Sequence, residues 1–161
     1  MLTIERVIAD FGPALARVAT SYERNPALRD ELLQEIVLAI HRALPSLQEP
    51  SKLKPFVFRV AHNRCVSHVM VRAAAPAHEP PAEDLVSEEP TPEQTVLADE
   101  RSRRLVGAVR ALPLPHRQVI TLLLEDLSYA EIADALGISP SNVGVRVNRA
   151  KAQLKERLDH G

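Results

Sequence analysis

Cysteine is nearly absent: Cys65 is the only one in 161 residues. A single thiol excludes an internal disulfide framework and a cysteine-based zinc finger. Tryptophan is missing, and two tyrosines and three phenylalanines bring the aromatics to 3%, so any core must be built from Leu, Val, Ile and Ala. Glycine is scarce, at 5 residues. Few glycines, few aromatics and abundant Ala and Leu argue for helices and against a sandwich or barrel. Long apolar runs are lacking too. The longest, Ile36 to Ile40, falls far short of the ~20 residues a membrane span needs, and no signal peptide opens the chain. There is no P-loop, no Rossmann glycine pattern and no HExxH. These absences predict a soluble cytoplasmic protein with no membrane insertion, no catalytic residues, no cofactor and no metal site.

What is present has the balance of a globular chain, 45% apolar and 25% charged. The net charge of −1 conceals an uneven distribution: +3 over 1–73, −6 over 74–95 and +2 over 96–161. The acidic stretch holds Glu79, Glu83, Asp84, Glu88, Glu89 and Glu93 together with Pro76, Pro80, Pro81, Pro90 and Pro92. Like charges and prolines with few large apolar residues cannot support a core. The chain therefore divides into a block at 1–73, an extended acidic linker at 74–91 and a block at 92–161, with the blocks expected to be separable by proteolysis in the linker.

Helical periodicity runs through both blocks. Pro13 suits the first position of a helix carrying Leu15, Val18, Ala19 and Tyr22 on one face, ended by Asn25-Pro26. A second helix repeats Leu28, Leu32, Ile36 and Ile40, with Asp30, Glu31, Gln34 and Glu35 on its other side. A third is expected from about Lys54 to Arg72, with Phe56, Val57, Val60, Ala61, Cys65 and Val69 as its apolar set. Phe56 and Phe58, two apart, cannot both face inward equally, so one should reach an outer surface. In the second block, Thr91-Pro92-Glu93-Gln94 is a capping-box start for a helix to about Leu112, and Pro113-Leu114-Pro115 breaks it and begins another.

The most informative stretch follows. Ser128-Tyr129-Ala130-Glu131 forms a second capping box, Gly137 sits where a helix end needs positive φ, and Ser139-Pro140 caps and opens the next helix. Val143, Val147, Ala150 and Leu154 face inward on their spacing, leaving Ser141, Asn142, Val145, Arg146, Asn148, Arg149 and Lys151 outward. From Arg146 to Arg157 there are five cations and one anion. A helix, a tight glycine turn and a second, basic helix form the arrangement that lays the second helix in a DNA major groove.

These residues carry a family likeness. Leu112 to Val119, Leu127 to Ala133, Leu136 to Ser139 and Val143 to Lys151 resemble the last conserved region of bacterial RNA polymerase sigma factors. In the first block, Asp30-Glu31-Leu32-Leu33-Gln34-Glu35 is similar to that family's polymerase-docking helix, and Phe56 to Asn63 is similar to its Trp-Leu-Phe-Arg-Ile-Ala-Arg-Asn segment. Two helical domains with only a linker between them match the extracytoplasmic-function (ECF) group. The resemblance implies an all-α protein of two small domains, a region 2-like one at 1–73 and a region 4-like one at 92–161. It implies RNA polymerase core and promoter DNA as partners, with an anti-sigma factor as a further one. Asp30, Glu31, Gln34 and Glu35 would dock on the β′ clamp helices. Phe56, Phe58, Arg59, His62, Asn63 and Arg64 would recognise and help open the −10 element. Ser141, Asn142, Val145, Arg146, Arg149 and Lys151 would read the −35 element, and the acidic linker would thread toward the polymerase active centre.

The sequence departs from the family's pattern at several points. Gly144 stands where Lys is usual, removing a cation and loosening the helix by about 1 kcal/mol. Phe56 replaces Trp, His62 replaces Arg, Ser67 replaces Asp, and the basic tail shrinks to Arg72. Two other readings stay open at this point: a sigma mimic that captures an anti-sigma factor without binding DNA, and a stand-alone helix-turn-helix regulator. His62, Cys65 and His68 lie at i, i+3, i+6, but the outer two are roughly 9 Å apart by helix rise, so one zinc cannot easily be shared and a half-buried Cys65 is expected.

Overall fold

The computed structural model describes residues 2–75 and 96–160, with side-chain detail lacking at 96–99 and 160. Seven α-helices account for nearly all of it: α1 (Ile4–Tyr22), α2 (Pro26–Ala43), α3 (Leu53–Ala74), α4 (Val96–Arg110), α5 (Leu114–Leu124), α6 (Tyr129–Leu136) and α7 (Pro140–His160). Two short 3₁₀ turns, Leu44–Ser46 and Pro50–Lys52, join α2 to α3. The fold is all-α, with no strand among the described residues. The capping box expected at Thr91 to Gln94 and nearly all of the acidic linker lie outside the described residues.

α1 starts earlier than its proline suggests. Thr3 caps it, its hydroxyl accepting from the Arg6 N–H at 3.2 Å, and Pro13 falls inside the helix. The ring removes the bond that would reach back to the Ala9 carbonyl, yet Ala9 and Pro13 are both exposed, where water can replace it. Burial of Val7 on the same face as Leu15, Val18 and Tyr22 rewards continuing the helix. α2 is capped by Asn25, whose side-chain oxygen accepts from the N–H groups of Ala27 (2.9 Å) and Leu28 (3.1 Å). Its Leu32, Ile36 and Ile40 are fully buried against α1 and α3. Phe58 reaches into this core edge-on to Phe11, ring centroids 5.9 Å apart.

In the second half, α5, α6 and α7 pack around Val119, Ile120, Leu122, Leu127, Ile132, Val143, Val147 and Ala150. α4 lies against both α1 and α7. The two halves are packed together, α6 seated on α3 and α4 and α5 on α1. Across that seam Arg17 makes a two-pronged bond to Glu125 (2.9 and 2.8 Å), Lys52 pairs with Asp134 (3.3 Å) and Lys54 with Glu131 (3.6 Å), and the Arg110 Nε donates to the Thr20 carbonyl (2.8 Å).

Candidate nucleic-acid and protein interfaces

α2 presents an acidic face by default. With Leu32, Ile36 and Ile40 turned to the core, Asp30, Glu31, Gln34 and Glu35 are all exposed, and Leu38 beside them is 45% exposed. Glu35 does not stand alone: its carboxylate accepts from the Arg64 Nη2 at 3.1 Å. The bridge ties α2 to α3 and joins two residues to which the family resemblance would give different tasks.

α3 has three neighbours, α1, α2 and α6, and so little free face. Pro55, Val57, Phe58, Ala61 and Cys65 are buried. Of the two phenylalanines, Phe58 is the inward one, 1% exposed, and Phe56 is half-buried beside it. Phe58 thus belongs to the core rather than to the outer surface that contact with −10 DNA requires. Arg59 points out and donates from Nη2 to the Asp134 carbonyl of α6 at 3.1 Å. Asn63 is exposed and Arg64 half-buried. His62 is enclosed enough that burial lowers its pKa to about 4, so it is neutral at pH 7; its Nδ1 has no hydrogen-bond partner among the described residues. Cys65 is fully buried rather than half-buried, and burial pushes its thiol up to about 12.

The foot of α3 holds a cluster that the sequence does not announce. Glu23 is 3% exposed. Its carboxylate lies 2.6 Å from His68 Nε2, accepts from Arg72 Nε (2.9 Å) and Nη2 (3.2 Å), and accepts from the Asn25 N–H (2.9 Å). Burial alone would raise the Glu23 pKa; His68, the Asn25 N–H and Arg72 together outweigh it and hold the carboxyl below its usual range. Its side-chain partners His68 and Arg72 are 45 and 49 positions away, so no local spacing reveals them.

The helix-turn-helix is built as its caps dictate. Ser128 and Glu131 exchange both capping-box bonds, at 3.1 and 2.8 Å. Gly137 takes φ 72° at the end of α6, and the Ser139 hydroxyl accepts from the Asn142 N–H at 3.1 Å. Val143, Val147 and Ala150 are fully buried, so α7 is anchored on one side. Ser141, Asn142, Val145, Arg149 and Lys151 are exposed and Arg146 half-buried on the other. Val145, 46% exposed, is an apolar residue with no packing role there.

Known proteins resemble the chain in both halves. The family model "Sigma-70 region 2" matches residues 7–74 and "Sigma-70, region 4" matches 102–154. The chain is 28% identical to the RNA polymerase sigma factor NccH of Alcaligenes xylosoxydans xylosoxydans, covering 95% of this chain and 85% of that protein. It is 24% identical to the ECF RNA polymerase sigma-E factor of Haemophilus influenzae, with 94% and 85% covered. Its fold superposes on the sigma factor RpoE from Bartonella quintana, solved with the anti-sigma factor NepR, at TM-score 0.71 and 20% identity over 96% of each chain. The fold of CnrH, solved with the cytosolic domain of CnrY, gives TM-score 0.68 at 24% identity over 98% and 88%.

Proposed function

The chain belongs to the sigma-70 family, in its ECF group, and from that premise we propose how its surfaces divide the work of bringing RNA polymerase core to specific promoters. We take residues 1–73 and 92–161 as its two working domains, joined by the acidic linker, and the whole as a non-catalytic specificity subunit acting in the cytoplasm. Asp30, Glu31, Gln34 and Glu35 dock on the polymerase. Phe56, Arg59, His62, Asn63 and Arg64 serve the −10 element, with Phe58 supporting them from the core. Ser141, Asn142, Val145 and Arg146 meet −35 base edges while Arg149 and Lys151, a turn later, meet phosphates.

The observation that carries this reading is α7: one face fully buried, the opposite face polar and basic, and its start fixed by Gly137 and Ser139. A solved relative of this fold is held by an anti-sigma factor, and we propose a partner of that kind here also.

The test is co-purification with core polymerase followed by run-off transcription. Glu31→Lys with Glu35→Lys should leave the fold intact and weaken core association by several kcal/mol, since like charges would then face a basic partner. In promoter binding by the holoenzyme, Arg146→Ala should cost about 1–3 kcal/mol on the true site and less on a scrambled −35 site, whereas Lys151→Ala should weaken both alike. Equal losses from Arg146→Ala on both fragments would remove base readout by this residue. If neither DNA-facing substitution matters while an anti-sigma factor still binds, the chain is a mimic.

A further inference from the structure

Val145 is an apolar residue that the packing of the helix-turn-helix leaves unused. At about 100° per residue, the buried Val143, Val147 and Ala150 form a stripe about 60° wide along α7, and Val145 lies about 170° from its centre. The side chain therefore stands at the middle of the open face, 46% exposed. Ser141 a turn before it, and Asn148 and Ala152 one and two turns after it, lie on the same side and are exposed. All three are short, so the helix can approach a partner closely around Val145. Arg149, also exposed on that side, is long enough to swing out to a phosphate. Nothing in the helix itself calls for valine at this point. A branched side chain loses rotamer freedom in a helix, and here it gains no burial in exchange. Lys, Glu or Gln would serve a solvated position better.

The floor of a major groove offers such a side chain one apolar group. The base edges there present hydrogen-bond donors and acceptors, and thymine alone adds a 5-methyl. We propose that Val145 selects thymine in the −35 element by packing against that methyl, so that the base pair facing this residue is T·A on one strand or the other. Contact between a branched side chain and a methyl removes water from both and asks for no donor or acceptor. A C·G pair at the same place would set the cytosine amino group against the valine methyls, covering a donor that nothing satisfies. Selection thus comes from the wrong pair as well as from the right one. Ser141 and Asn142, exposed beside Val145, supply the polar contacts to neighbouring base edges that an apolar residue cannot. The inference rests on the assignment of α7 to the −35 element and adds the base that one of its residues selects.

The experiment starts from holoenzyme assembled with the full chain and a promoter library randomised over the −35 region. Fragments that the holoenzyme retains are sequenced, and each thymine of the enriched −35 sequence is then replaced singly by uracil, which lacks only the methyl. One thymine is expected at which uracil weakens binding about three- to five-fold, the loss of one buried methyl contact. Val145→Ser should abolish that difference, binding the thymine and uracil fragments alike. Because the same two fragments are compared with both proteins, any effect of the methyl on the DNA itself cancels. Leu124→Ser, which alters an apolar residue 50% exposed on α5 and outside the DNA-facing helices, should keep the difference. Val145 is exposed, and circular dichroism of Val145→Ser verifies that the fold is retained. An enriched −35 sequence with no methyl-sensitive thymine overturns the inference and leaves the −35 assignment standing. So does a thymine preference that persists unchanged in Val145→Ser. If no −35 sequence is enriched at all, the assignment of α7 falls and the inference falls with it.

Discussion

His62 and Glu23 set how this protein responds to acid. Burial lowers His62 to about 4 from an ordinary 6.5, so between those values the unfolded chain binds a proton that the folded chain refuses. Stability must therefore fall as pH drops through that window, by about 2 kcal/mol between pH 7 and 5. Urea unfolding at the two pH values should show His62→Gln losing less than the parent protein. Glu23 acts lower: its depressed carboxyl contributes stability above the ordinary carboxylate range, lost as pH falls through its folded value. At neutral pH, Glu23→Gln removes the buried carboxylate charge that accepts from Arg72 Nε and Nη2 and should cost roughly 2–3 kcal/mol. Neither residue was legible in advance. His62 reads as a DNA-facing position on a one-sided helix, and only three neighbours packed on α3 enclose it. The two-residue spacing of Phe56 and Phe58 did show that one must turn outward, but not which.

The elements were more open to reading than the residues, wherever caps and glycines mark them. Capping at Ser128, the turn at Gly137 and the Ser139-Pro140 entry specify α6 and α7 almost to the residue. Those signals are local, satisfying backbone groups within one turn. α1 departs from its sequence expectation for an equally physical reason: Pro13 looks like a start, but an exposed proline inside a helix is tolerated when burial on both sides rewards continuity. The spacing of Ile4, Val7, Phe11, Leu15, Val18 and Tyr22 held the better signal. The two glycines of the helix-turn-helix should respond oppositely to alanine. A Cβ at Gly144 would meet the Tyr129 ring at 3.6 Å, an ordinary contact, so Gly144→Ala should raise stability by about 0.5–1 kcal/mol through helix propensity. Gly137→Ala must adopt φ 72° and should lower it by about 1 kcal/mol. Thermal melts of the two variants check both signs.

At the scale of the whole molecule, the sequence showed two charged blocks but not their union. Side chains 70 to 110 positions apart meet across the seam, and no periodicity carries such information. In this packed arrangement the outer face of α7 stays largely open, while Arg59 of α3 is occupied by the Asp134 carbonyl and Lys52 and Lys54 by Asp134 and Glu131. Exposed ion pairs contribute only about 0–1 kcal/mol each and weaken with salt. The seam's better-shielded bond is Arg17 to Glu125, whose side chain is 9% exposed. Glu125→Lys combined with Asp134→Lys sets like charges against Arg17 and Lys52. Small-angle scattering should then report a larger radius of gyration than the parent protein shows, and an unchanged radius would mean that apolar packing alone holds the halves together.

The bridge between Glu35 and Arg64 bears on timing. On the proposed assignments one end faces the polymerase and the other the promoter, and a single pair cannot serve both while it remains closed. A polymerase surface that draws Glu35 away releases Arg64, so protein capture would come before DNA engagement. At the strength of an exposed pair the preference amounts to a few-fold at most, which biases the order of events without locking it.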